Sequence, residues 1–363
     1  MMTRRSLLMT TDTVGGVWQY SLDLAAALAP LGIDVLLVTL GPPPGDDQRA
    51  QAMAAGIDLR VTDLPLDWLC DGPEPVLAAG AAIAALASRE RVDLLQLNMP
   101  TLGAAPGFTV PVVAVMHGCI ATWWEAAHGG ALPPEFAWQR ALTTRGIAAA
   151  DAVVAPSKSH ALAVQRHYAL AATPHAIHNG RPSPASAAAA PSRQLFTAGR
   201  LWDRVKDTAL LDRVAARVAV PFAAAGPVRG PHGETVAPDN LTLLGQLDAA
   251  ALDARLAERP VFVSAACFEP FGLAVLEAAA AGCPLVLADI PTFRELWEDA
   301  ALFAPVADDD AFVDAIERLL ANPAEAQRLG DAAKARARRY TPDATAKAMA
   351  GLYAQLTESR AAA

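Results

Sequence analysis

Two glutamates eight residues apart, Glu269 and Glu277, lie in the segment VFVSAACFEPFGLAVLE at residues 261–277. The apolar VFVSAAC reads as a buried parallel strand, Glu-Pro-Phe-Gly breaks it, and the stretch from Gly272 to Ala281, rich in Ala and Leu, reads as a helix. The turn between them falls where a strand's carboxyl end meets a helix start, the place where open α/β sheets bind ligands. Eight helical steps at roughly 100° each leave two side chains about 80° out of phase, so the two carboxylates need not share a helix face. A more economical placement puts Glu269 in the loop and Glu277 on the first helical turns, with the free N–H groups of the helix N-terminus facing an anion. Ionised carboxylates beside an anion site accept hydrogen bonds from neighbouring hydroxyl pairs. The plainer reading makes Glu269 a loop charge and Glu277 a solvated helix residue.

Upstream, QLFTAGRLWDRVKDTALLDRVAARV at residues 194–218 reads as a strand, Gly199-Arg200, and a helix with Lys206 near its start. An arginine fork grips phosphate oxygens bidentately and a lysine adds a mobile point charge, so the pair suits stabilisation of a departing diphosphate without a metal. The same charges also read as ordinary pairs on a surface helix. At the amino-terminal end, LLMTTDTVGGVWQYSLDLAAALAPLGIDVLLVTL reads as a βαβ unit, in which Gly15 and Gly16 let the backbone approach a ligand and the helix after them offers unpaired N–H groups. A Gly-Gly turn alone is also just a tight connection. The buried strand VPVVAVMHGC ends in His117-Gly118, which places a histidine at a strand's carboxyl end. After it come Trp123, Trp124 and Glu125, aromatic faces and a carboxylate that suit either a sugar-like acceptor or plain core packing.

Glu269-Pro-Phe-Gly-Leu-Ala-Val-Leu-Glu277 resembles the glutamate-x7-glutamate motif of retaining glycosyltransferases with the GT-B architecture, in particular their family 4 (glycosyl transferases group 1). The resemblance implies that Glu269 lies near the donor sugar. It also implies that loop amides at Phe271, Gly272 and Leu273 approach the diphosphate and that Glu277 holds the ribose. Gly199-Arg200-Leu201 with Lys206 resembles the family's cation motif and implies phosphate contacts from Gly199, Arg200 and Lys206. Two departures stand out: Asp207 follows the lysine where glycine is usual, and the Arg-to-Lys spacing of six is one longer than the family pattern. By the same resemblance Gly15 and Gly16 face the donor phosphates, His117 contacts the transferred sugar, and Asp12 and Trp18 join the cleft. Trp123, Trp124 and Glu125 belong to the acceptor side. The implied reaction moves a sugar from a nucleoside-diphosphate sugar to an acceptor hydroxyl with retention of configuration. No metal or other cofactor is expected. The alternatives are a non-catalytic sugar-nucleotide-binding protein of the same fold and a sugar-nucleotide 2-epimerase.

The elements required to hold these residues are two α/β halves, because 363 residues exceed one compact domain. Strands DLLQLN, VPVVAVM, DAVVAPS and HAIHNG precede a Pro, Ser and Ala-rich stretch; LFTAG, PFAAAG, LTLLG, VFVSAA and PLVLADI follow it. The expected organisation is two doubly wound, Rossmann-like parallel sheets facing across a cleft: residues 1–182 on the acceptor side, a linker at 183–193, and a nucleotide-sugar donor domain at 194–340. The last segment, 341–363, reads as a helix that the resemblance sends back to the first domain.

Net charge of −9 is spread over both halves, 11 Lys and Arg against 15 Asp and Glu in residues 1–182 and 18 against 23 in the rest, which argues against nucleic acid as a partner. There is no polybasic patch for anionic lipid, which leaves only peripheral membrane contact through Arg4, Arg5 or an apolar loop. The four cysteines lack metal-ligand spacing and read as free thiols of a reducing cytoplasm. No signal-peptide pattern is evident and the apolar strands are too short to span a bilayer. The Ala-heavy composition points to a GC-rich bacterial genome. Donor base, acceptor and oligomeric state leave no readable trace.

Overall fold

The computed structural model describes residues 4–183 and 190–361; most of the expected linker, residues 184–189, lies outside the described residues. The chain forms two compact units, Met1–Gly180 with Pro342–Ala363, and Arg181–Thr341.

In the first unit, short apolar runs form β1 (Arg5–Asp12), β2 (Ile33–Leu40), β3 (Asp58–Arg60), β4 (Leu94–Leu97), β5 (Val112–Val115), β6 (Ala152–Ala155) and β7 (His175–Ala176). They pair in parallel in the order β3-β2-β1-β4-β5-β6-β7. Parallel strands need helical crossovers, which cover both sheet faces and explain why the strands read as continuous apolar runs. Leu8, Leu37, Leu95 and Val113 are fully buried, and each contributes about 1.5–3 kcal/mol through removal of apolar surface from water. The long final helix, Pro342–Ala361, returns to this unit: Ala346, Met349, Leu352 and Tyr353 share a core cluster with Trp18, Leu24 and Leu28 of the helix Gly16–Leu28.

The second unit repeats the plan with β8 (Leu195–Ala198), β9 (Phe222–Ala225), β10 (Thr242–Gly245), β11 (Val261–Ser264), β12 (Leu285–Ala288) and β13 (Leu302–Ala304), ordered β10-β9-β8-β11-β12-β13 and again parallel. Its core is filled by Phe196, Phe262, Phe293 and Trp297. Each sheet winds to one edge and restarts beside its first strand, so the topological switch points lie between β1 and β4 and between β8 and β11. Both are positions where carboxyl ends of strands leave a crevice for a ligand.

Two local expectations are corrected. Lys206 is not on a helix: Asp203 accepts a hydrogen bond from the Val205 N–H, so the chain first makes a 3₁₀ turn at Arg204–Lys206. Asp207, at φ +49°, then caps the helix Thr208–Ala215 by accepting from the Leu210 N–H at 3.1 Å. The three-residue edge strands β3 and β13 were absent from the strand expectation. Among the described residues no helix is long and apolar enough to cross a membrane, and Cys70, Cys119, Cys267 and Cys283 form no disulfide.

Candidate functional sites at the two switch points

At the β8/β11 switch point of the second unit, Gly199, Lys206, Glu269 and Gly272 line one pocket with Thr197, Ser264 and Thr208. The Lys206 ammonium donates to Oε1 of Glu269, each side chain about one-fifth exposed. The loop carrying the lysine is tied to the loop carrying the glutamate by the Cys267 N–H, which donates to the Val205 carbonyl at 2.9 Å. Gly199 packs backbone against backbone with Gly226: a Cβ on Gly226 would sit 1.7 Å from the Gly199 oxygen, at φ +133°. This contact holds the β8 exit in place.

Gly272, at φ +91°, begins the helix Leu273–Ala281, whose N-terminus has no side-chain cap. The amides of its first turn therefore suit an anion. Phe271 itself is buried, its ring edge-on to Tyr340 at 5.7 Å, so only its backbone is placed for a ligand. Arg200 lies outside the pocket lining, its Nη2 donating to buried Asp203 at 2.7 Å and its guanidinium 5.7 Å from the Trp202 ring centre. Glu277, in the second turn of its helix, accepts from Nε of Arg181 at 2.7 Å. Three cations and three carboxylates are thus matched as Arg200–Asp203, Lys206–Glu269 and Arg181–Glu277. Such an arrangement sets carboxylate acceptors and cationic donors side by side, within reach of hydroxyls and of an anion.

Arg181 and Asp203 were missed in the sequence. Arg181 lies 96 residues from its partner, and Asp203 looked like one more charge in a polar turn.

At the β1/β4 switch point of the first unit, Asp12 shapes the glycine loop: its Oδ1 accepts from the N–H groups of Val14 at 2.9 Å and Gly15 at 3.1 Å. Gly15 is the N-cap of the helix that begins at Gly16. Trp18 is a correction. Its indole is buried in the core, with Nε1 facing Gln51 Oε1 at 3.4 Å, because the helix turns that position onto the sheet.

His117 follows β5, its Nε2 3.2 Å from Asn98 Oδ1 and its ring edge-on to Tyr20 at 4.5 Å. Desolvation by the surrounding protein and the neighbouring His160 push its pKa down to about 3, so the ring is neutral at ordinary pH. On the helix Ile120–His128, Trp124 stacks on His128 at 4.1 Å and touches Phe136 at 5.3 Å, while Trp123 tilts beside Trp124 at 6.3 Å. Both tryptophans are half-buried, an aromatic face with a packed back. Glu125 points elsewhere, accepting from His167 at 2.8 Å and Arg166 at 3.2 Å, and its carboxyl is held below the usual range by the His167 hydrogen bond. Asn98, Gln96 and Tyr20 were not singled out in the sequence, since uncharged polar residues inside apolar strands and helices give no spacing signal.

Residues 14–182 match the family model described as Glycosyltransferase Family 4, and residues 234–336 match that of Glycosyl transferases group 1, together most of the chain. A D-inositol 3-phosphate glycosyltransferase of Streptomyces bingchenggensis is 27% identical over 95% of this chain and 86% of that protein. A phosphatidyl-myo-inositol mannosyltransferase of Mycobacterium leprae is 30% identical over 124 residues, one third (33%) of each chain. Among solved structures, sucrose-phosphate synthase from Thermosynechococcus elongatus superposes with a TM-score of 0.78 at 20% identity, covering 98% of this chain and 100% of that one. Anabaena HepE in complex with UDP-glucose superposes at 0.76 and 18% identity, covering 97% and 100%.

Proposed function

Because the chain belongs to the GT-B glycosyltransferases built from these two domains, we propose that it transfers a sugar from a nucleoside-diphosphate sugar to an acceptor hydroxyl, with retention of configuration and without a metal. The observation that carries this reading is the single pocket shared by Lys206, Glu269, Gly199 and the uncapped start of the helix at Leu273. In the ground state the diphosphate lies against the first-turn amides and Lys206. As the glycosyl bond breaks, negative charge grows on the leaving diphosphate, and Lys206, Arg200 and the amides stabilise that charge more than they stabilise the ground state. Glu277 accepts from the ribose hydroxyls and Glu269 orients the donor sugar. In the first unit, Gly15 and Gly16 form the phosphate-facing loop, His117 contacts the transferred sugar, and the aromatic face of Trp123 and Trp124 contributes to acceptor binding. Asp12 supports the glycine loop, and Glu125, turned to Arg166 and His167, stays out of the reaction.

The donor screen starts with UDP-glucose, the ligand of the Anabaena structure. The acceptor screen starts with D-inositol 3-phosphate, the acceptor named for the Streptomyces relative. The test is release of nucleoside diphosphate coupled to a glycoside whose anomeric configuration is read by NMR, with and without EDTA. Product with the donor's anomeric configuration and unchanged rate under EDTA is expected. An inverted product or chelator-abolished turnover refutes the mechanism, and an epimerised sugar with no glycoside refutes the transferase.

A further inference from the structure

Beside His117 lies a buried polar chain that the transfer step does not use. Asn98, just after β4, spends its whole side-chain capacity there. Its Nδ2 donates to the Thr10 carbonyl at 2.8 Å and to Ser21 Oγ at 3.1 Å; its Oδ1 accepts from Gln96 Nε2 at 2.9 Å and faces His117 Nε2 at 3.2 Å. A backbone carbonyl only accepts, so Thr10 fixes which end of the Asn98 amide is nitrogen. Oδ1 is then the atom that meets the imidazole, and an amide oxygen also only accepts. Nε2 of His117 must carry the hydrogen.

Gln96 is fixed in turn. Its Nε2 serves Asn98 and the Tyr20 hydroxyl at 3.3 Å, while its Oε1 accepts from the Tyr353 hydroxyl of the final helix. Thr10, Ser21 and Gln96 are fully buried, so water does not compete for these bonds. The Tyr20 ring, 66° to the imidazole plane, limits its rotation.

We propose that Asn98 is a positioning residue for His117, locking the Nε2–H tautomer so that Nδ1 accepts a hydrogen bond from a hydroxyl of the transferred sugar. The identity of that hydroxyl rests on the proposed transfer reaction; the tautomer rests on the first unit's own geometry. The depressed pKa keeps the ring neutral and the Nδ1 lone pair in place. An Nδ1–H ring would instead offer a donor and select a different ligand atom. Through Gln96, Tyr353 makes the carboxyl-terminal helix a brace for this orientation.

The experiment is long-range ¹H–¹⁵N NMR of the full chain labelled at histidine, with His117 assigned by its loss in His117→Gln. The wild type is expected to show a protonated Nε2 and an unprotonated Nδ1, unchanged between about pH 6 and pH 8. Asn98→Ala should average the two nitrogens and lower kcat/KM by about tenfold, the worth of one hydrogen bond, with nucleotide affinity unchanged. If Asn98→Ala fails to fold, the wild-type spectrum still decides, and Tyr353→Phe gives a milder break in the chain. A wild-type Nδ1–H ring, or an Asn98→Ala spectrum like the wild type's, overturns the role of Asn98. The expected tautomer in a protein that binds no nucleotide sugar leaves the lock standing and removes the sugar hydroxyl as its purpose.

Discussion

The residues proposed to carry the chemistry are distinguished less by their charge than by their partners. Lys206 is held on Glu269 inside a pocket, and Arg200 on a buried aspartate at its edge. For partly buried pairs the cost of desolvation offsets most of the attraction, so pairing of this kind serves placement more than stability. Lys206→Ala and Arg200→Ala are each expected to cut turnover by at least about 100-fold, the scale of losing one pre-organised charge stabiliser, with circular dichroism unchanged. Near wild-type rates in both would remove the cation pair from the mechanism. The two glutamates and the two cations were singled out through the family resemblance of their motifs, and the structure brings Lys206 and Glu269 into one pocket while pairing Glu277 with Arg181 and Arg200 with Asp203. Arg181 was not, because a contact made 96 residues away has no local period to betray it, and Asp203 was not, because it looks like one more charge in a polar turn.

At the scale of elements, backbone geometry is the constraint. Gly226 lies against the Gly199 carbonyl, and a methyl group there collides with backbone that cannot step aside. Gly226→Ala is therefore expected to cost about 3 kcal/mol or more, from the clash and the φ of +133° together, read as a lowered denaturation midpoint. The helix Lys158–Tyr168 supplies a second test. His160, 3% exposed in its first turn, has a pKa lowered to about 4 by burial. Its folded pKa lies below the unfolded value of 6.5, so the unfolded chain binds the extra proton first. Its stabilisation is complete above about pH 6.5 and is lost as pH falls toward 4, roughly 3 kcal/mol in all. Urea titrations across that range should show the loss, to which His117 with its pKa of about 3 also contributes, and His160→Gln should make the slope shallower without abolishing it; an equal slope in the variant would assign the effect to other groups. β11 and its helix could be read from VFVSAAC followed by Glu-Pro-Phe-Gly, since an apolar run broken by Pro and Gly has one natural fold. The turn at Arg204–Lys206 could not, because it depends on the Asp203 side chain capping the Val205 N–H and on Asp207 capping the helix that follows at the Leu210 N–H.

At the scale of the whole molecule, the chain builds the same doubly wound plan twice, and a candidate functional cluster lies at the switch point of each sheet. That much follows from strands alternating with helices and a Pro, Ser and Ala-rich break between the halves. The return of the helix Pro342–Ala361 to the first unit rested on family resemblance alone, because an amphipathic stretch does not say which core it will cover. The proposed transfer requires the second unit to bind a nucleoside diphosphate through the amides at Leu273, Lys206 and Glu277. Its most direct test is calorimetric titration of the protein with UDP, GDP, ADP and dTDP, repeated on Glu277→Ala. Saturable binding of one nucleotide, weakened about tenfold in the variant as one lost ribose contact requires, is the predicted result. A folded protein that binds none of the four contradicts nucleotide-sugar binding at this site.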